Sequence, residues 1–229
     1  MRRVRSVVLW LIPALLCAAG LAFGDEPLRE PFDQSYPIAA GGRVSLSNVN
    51  GGVQVNVWDQ NTVRVQAVKE GESREELDSL RIEVSASASS VAVTTRYPEG
   101  SHNHLSVEYT LTVPKGVALD TIELVNGGLT VSGLGGEVRA KLVNGEAKLS
   151  GLAGNVEVHT VNGSVELRLA PSVAAEVEAK TVNGHLSNDF GLPVNKHEYV
   201  GADMNGSIGS GGGRLHLESV NGGIRLTKM

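Results

Sequence analysis

An Asn-Gly pair recurs along this chain, at Asn50-Gly51, Asn126-Gly127, Asn144-Gly145, Asn162-Gly163, Asn183-Gly184, Asn205-Gly206 and Asn221-Gly222. A valine precedes it each time except at Met204, and from Asn126 the spacings are 18, 18, 21, 22 and 16 residues. Spacing of this length is the signature of stacked units and constrains the architecture more than any other property. The flanks keep one phase. Three and five residues after the Asn stand Val53 and Val55, Leu129 and Val131, Ala147 and Leu149, Val165 and Leu167, Ile224 and Leu226. Before it the alternation continues, as in Val138, Ala140 and Leu142, then Val156, Val158 and Thr160. Period two with Val and Thr enriched marks strands with one buried face. A second glycine corner, Gly133-Leu134-Gly135-Gly136 and Gly151-Leu152-Ala153-Gly154, falls half-way round the early units.

Two architectures satisfy this pattern. Asn-Gly between alternating strands is a strong hairpin signal, because both residues accept positive φ, and it predicts an antiparallel β-meander. Alternatively each unit of 18 to 22 residues is one coil of a parallel β-solenoid (β-helix). Equivalent residues then stack about 4.8 Å apart, and the corner asparagines can form a hydrogen-bonded ladder. Outward charges favour the stack. A hairpin at Asn144-Gly145 sets Lys141 against Lys148, and one at Asn183-Gly184 sets Glu178 against Asp189. Coils stacked in chain order pair Glu123 with Lys141, Arg139 with Glu157, Lys148 with Glu166 and Arg168 with Asp189. Their one fault is Glu157 over Glu178. The expected fold is therefore all-β, a parallel β-solenoid, with the antiparallel meander as the alternative. Asn50, Asn126, Asn144, Asn162, Asn183, Asn205 and Asn221 are its expected structural corners.

The expected domain spans 41–229, with regular coils at 120–229 and a less regular region at 41–119 that widens the coils or caps one end. Within that region, stretches beginning at Thr62, Leu80, Ser90 and Leu105 read as strands, and Gly71 to Leu80 as a charged turn or short helix. Residues 25–40 read as a linker. Arg2, Arg3 and Arg5, an apolar run from Val7 to Phe23 and the small residues Ala22 and Gly24 read as a signal peptide over 1–24. Cleavage there removes Cys17, the only cysteine, so disulfides and cysteine–metal sites are excluded from the mature chain. The mature chain then holds 17 Lys and Arg against 25 Asp and Glu, a net charge of −8. That excess argues against a nucleic-acid partner, which needs a basic face. The expected location is the periplasm, the cell surface or outside the cell, with no membrane span in the mature chain.

No catalytic, cofactor or metal constellation stands out. His102 and His104 share a phase but lack a further ligand, and His159 fits a solvated outer face. The glycine strings do not open a helix after a strand, and no serine carries a His and Asp in a recognisable order. The interval 188–204 loosens the spacing and supplies the loop candidates for binding, Phe190, His197 and Tyr199, although Phe190 and Tyr199 also suit a small satellite core.

Asn48-Val-Asn-Gly-Gly-Val-Gln-Val55, Val57-Trp-Asp59, Val63-Arg-Val-Gln-Ala67, Tyr109-Thr-Leu-Thr-Val-Pro-Lys-Gly116 and Thr160-Val-Asn-Gly-Ser-Val165 together resemble the bacterial putative-adhesin family, a domain of unknown function with Val-Asn-Gly repeats. The resemblance covers the chain from about residue 40 onward. It implies a β-solenoid on an exported protein and brings no site residues. The expected function is a non-catalytic adhesin or cell-envelope interaction module, with an envelope protein or glycan as partner. The alternatives are a polysaccharide-active β-helix enzyme and a self-assembling envelope subunit.

Overall fold

The computed structural model describes residues 27–100, 104–198 and 200–229. The segment expected to be a signal peptide lies outside them. The chain opens with β1 (Leu28–Pro37), β2 (Arg43–Asn50), β3 (Val53–Trp58), β4 (Thr62–Gly71) and helix α1 (Arg74–Ser79). Next come β5 (Arg81–Ala86), β6 (Ser90–Arg96) and β7 (Ser106–Pro114). The regular part holds β8 (Ala118–Asn126), β9 (Leu129–Ser132), β10 (Val138–Asn144), β11 (Ala147–Ser150), β12 (Val156–Asn162) and β13 (Val165–Leu169). It ends with β14 (Ala175–Asn183), β15 (Leu186–Asn188), β16 (Val194–Lys196), β17 (Ala202–Ile208), β18 (Gly213–Asn221) and β19 (Ile224–Lys228).

These strands form two open, mostly parallel sheets. One runs β1-β4-β7-β3-β9-β11-β13-β19-β15, the other β16-β17-β14-β18-β12-β10-β8-β2-β6-β5. Six of the seven Asn-Gly pairs carry the chain from the second sheet to the first, at β2–β3, β8–β9, β10–β11, β12–β13, β14–β15 and β18–β19. The apolar phase of each strand points between the sheets. Val138, Ala140 and Leu142 of β10 and Ala147 and Leu149 of β11 are all buried. Burying one such Val or Leu is worth about 1.5–3 kcal/mol.

Pairing along the stack is parallel, so hairpins of the meander type do not join these strands. Lys141 is in register with Glu123 and Arg139 with Glu157. Lys148 is in register with Glu166. The order of the layers departs from chain order, however. β18 lies between β12 and β14, and β19 between β13 and β15. His216 therefore separates Glu157 from Glu178, and Arg168 faces Thr227 rather than Asp189. The like-charge fault of a chain-order stack is removed by this insertion.

At the corner, the asparagine side chains form a ladder. Asn126 Nδ2 donates to Asn50 Oδ1, Asn144 to Asn126 and Asn162 to Asn144, each at 2.8 Å. Asn221 continues it onto Asn162 and Asn183 onto Asn221, each at 2.9 Å. Asn205 stands apart in β17, which runs antiparallel to β14, and donates instead to Asp203 Oδ2. A half-buried phenol closes the other end: Tyr97 Oη donates to Asn48 Oδ1 at 2.9 Å. Burial raises the Tyr97 pKa to about 12.

The ends of the stack change to antiparallel pairing. β7–β4–β1 ends one sheet, β6–β5 ends the other at the same side, and β17–β16 follows β14 at the far side. Residues 28–37, expected within a linker, thus form edge strand β1. It pairs along its whole length with β4, packs Phe32 and Tyr36 against the core and adds ion pairs, with Lys69 Nζ 2.9 Å from Glu30 and Arg64 bidentate on Asp33. Pro31 and Pro37 are tolerated because an edge strand need not donate on both sides. Helix α1 is stopped and started locally. Ser73 and Glu76 form a capping box, Leu80 turns extended, and buried Leu77 pins the helix to the core.

Candidate functional site

Strand alternation sends the residue before each corner asparagine outward. At six layers that residue is valine: in spatial order Val49, Val125, Val143, Val161, Val220 and Val182. Their exposures lie between 37% and 46%, whereas Val158, three residues before Val161 and facing in, is fully buried. With strands about 4.8 Å apart, the row is about 24 Å long. Fold stability does not require it, since an outward strand position accepts a polar residue. Single exposed apolar residues are ordinary, but a contiguous row is a feature of contact surfaces.

Three residues before the asparagines runs a polar row: Ser47, Glu123, Lys141, His159, Glu218 and Lys180. Between the two rows lies an open groove of about 510 Å³, lined by five of the valines and by Glu123, Lys141, His159 and Glu218. A separate open cavity of about 560 Å³ continues around Val182, Val200 and His197.

A cluster of titratable groups adjoins the groove. His159 Nδ1 lies 2.9 Å from Glu218 Oε2, and His159 Nε2 lies 3.1 Å from Glu157 Oε1. His216 Nδ1 lies 3.2 Å from Glu178 Oε2, and its Nε2 lies 3.2 Å from Glu218 Oε1. The hydrogen bond with His159, then the charges of His159, Arg139 and His216, hold the Glu157 carboxyl below its usual range against the cost of burial. For Glu178 the hydrogen bond from Lys180 is the largest cause of the same direction.

Of the residues singled out in the 188–204 interval, His197 lines the cavity around Val182 that continues this face, and Phe190 does not line it. Phe190 is half-buried against the core, with the Lys228 ammonium 5.3 Å from its ring centre. His197 Nε2 pairs with Asp203 Oδ1 at 2.8 Å. Tyr199 and His102 lie outside the described residues. The interval is not wholly loop, since β16 and β17 form a hairpin in it. His104, considered as a ligand, pairs with Glu72 at 2.9 Å. Sequence reasoning missed His216, Glu218 and the valine row. The valines were visible as a constant partner of each Asn-Gly, and their outward phase was the available signal. The His159–His216 pairing was hidden by the exchanged layer order.

No protein-family model matches the chain, and no curated protein matches it. Solved structures do. The fold is similar to that of a putative cell adhesion protein from Clostridium sporogenes, with a TM-score of 0.62 at 15% identity over 89% of this chain and all of that one. A putative adhesin from Parabacteroides merdae aligns at a TM-score of 0.42 and 11% identity, over 70% of this chain and 65% of that one. At these identities the first likeness is one of fold. Among the described residues, no helix is long and apolar enough to cross a membrane.

Proposed function

We propose that this chain is a non-catalytic, exported β-solenoid that acts as an adhesin or cell-envelope interaction module, and that it docks a protein partner along the valine groove. The observation that carries this reading is the row of six outward valines in register, flanked by a row of both charge signs. An apolar stripe rimmed by mixed charge has the composition of a protein interface. Among the described residues, no Phe, Tyr or Trp lines the groove. Location at the periplasm or cell surface rests on the signal-like leader and on the resemblance.

Photocrosslinking from position 143 or 161 in the native cell envelope tests the reading. A single adduct of defined mass is expected there, and none from Thr130 on the other sheet. Replacing Val143 and Val161 with Ser should abolish the adduct formed from position 125 without lowering the melting temperature. An adduct of twice the chain mass would make the partner a second copy and favour a self-assembling subunit. Depolymerisation of an envelope polysaccharide by the purified chain would overturn the non-catalytic reading.

A further inference from the structure

Three neighbouring parallel strands present an alternating chain of anions and imidazoles: Glu157 and His159 on β12, His216 and Glu218 on β18, Glu178 on β14. Glu218 bridges the two rings through its two oxygens, and each ring faces a second carboxylate through its other nitrogen. A neutral imidazole has one N–H and can donate to only one of its two carboxylates. The other contact sets a lone pair against an anion. A cation shared by the rings removes the conflict.

The outer carboxylates already have cations of their own. Arg139 Nε lies 3.5 Å from Glu157, and Lys180 Nζ lies 2.6 Å from Glu178. His159, His216 and Glu218 remain as a three-donor set whose ligand atoms lie within 4.8 Å of one another. Donors around a tetrahedral zinc sit about 2.1 Å from the ion, hence about 3.4 Å apart. Small rotations of these partly exposed side chains supply that contraction. Their backbones need not move, because β12 and β18 are locked in one ladder.

We infer that His159, His216 and Glu218 bind a divalent transition-metal ion of the zinc type. Two imidazoles and one carboxylate form a zinc donor set with an open position, whereas magnesium and calcium prefer all-oxygen shells. The ion would tie β18 to β12, and its open position would face the groove that His159 and Glu218 line.

Isothermal titration of the purified, EDTA-stripped chain with zinc chloride near neutral pH is the test. One equivalent is expected to bind, and magnesium chloride should give no binding heat. His159→Gln and His216→Gln should each weaken zinc by more than the roughly 100-fold that loss of an outer partner can cost. His104→Gln and His197→Gln should leave it unchanged. Glu218→Gln keeps the side-chain shape and should show the same loss, so the result does not depend on either histidine variant folding. No uptake by the wild-type chain, or uptake unaltered by all three variants at the cluster, would overturn the site.

Discussion

Glycine at the Asn-Gly corner serves a different purpose in this stack from its purpose in a hairpin. Gly127, Gly145, Gly163, Gly184 and Gly222 do not have positive φ; of the six corner glycines in the ladder only Gly51 does, at 111°. Instead, a Cβ on Gly145 would collide with the carbonyl oxygen of Gly127, and one on Gly163 with that of Gly145. The corners pass so close that the backbone of one layer occupies the place of the next layer's side chain. Gly145→Ala should therefore cost about 1–3 kcal/mol, the usual range for overpacking. Gly116 has no atom within 4 Å of a would-be Cβ, and Gly116→Ala should stay within about 0.5 kcal/mol. Urea titration of both variants decides the matter; equal effects would mean the corner is open after all.

At the scale of elements, strand identity and phase were legible and neighbour order was not. The alternation at Val138, Ala140 and Leu142 faces the core as read, because period two allows only one buried set. The ladder and the Lys148–Glu166 register follow from the 18-residue spacing. The layer skipped after β13 left no trace in the connectors, since 133–137, 151–155 and 170–174 are of equal size, and the longer spacing from Asn162 to Asn183 comes from longer strands. What changes is chemistry: Gly133 and Gly151 have positive φ, and Ala170-Pro171 replaces that corner. The stronger clue was Glu157 over Glu178, a conflict that asks for an intervening strand. His216→Glu tests this order directly. It places a carboxylate opposite both Glu157 and Glu178. Two like-charge contacts at about 0.2–1 kcal/mol each should destabilise the fold by roughly 0.4–2 kcal/mol in EDTA. The loss should shrink as salt rises. A neutral or stabilising result would place residue 216 away from both glutamates.

Across the whole molecule, the exchanged order makes the last residues a keystone rather than a terminal unit. In a stack built in chain order, removing the final unit costs one interface and leaves the rest intact. Here, deletion of 213–229 opens a gap between β12 and β14 and another between β13 and β15. The gap is about 9.6 Å wide, two strand spacings, and no backbone group can bond across it. β14 could close it only by sliding onto β12, which sets Glu178 on Glu157 and moves the β16–β17 hairpin with it. A chain ending at Gly212 should thus lose far more than its share of stability, with a shallower urea transition and a smaller m-value than the full chain. A synthetic peptide covering 213–229 should restore the transition, because both edges it needs are presented in the right register. Peptides with Leu215 and Leu217 changed to Asp should fail, since both side chains are buried between the sheets. Retention of a full, steep transition by the truncated chain, with no response to the peptide, would show that the remaining layers close on themselves and that the insertion is not what holds the two sheets together.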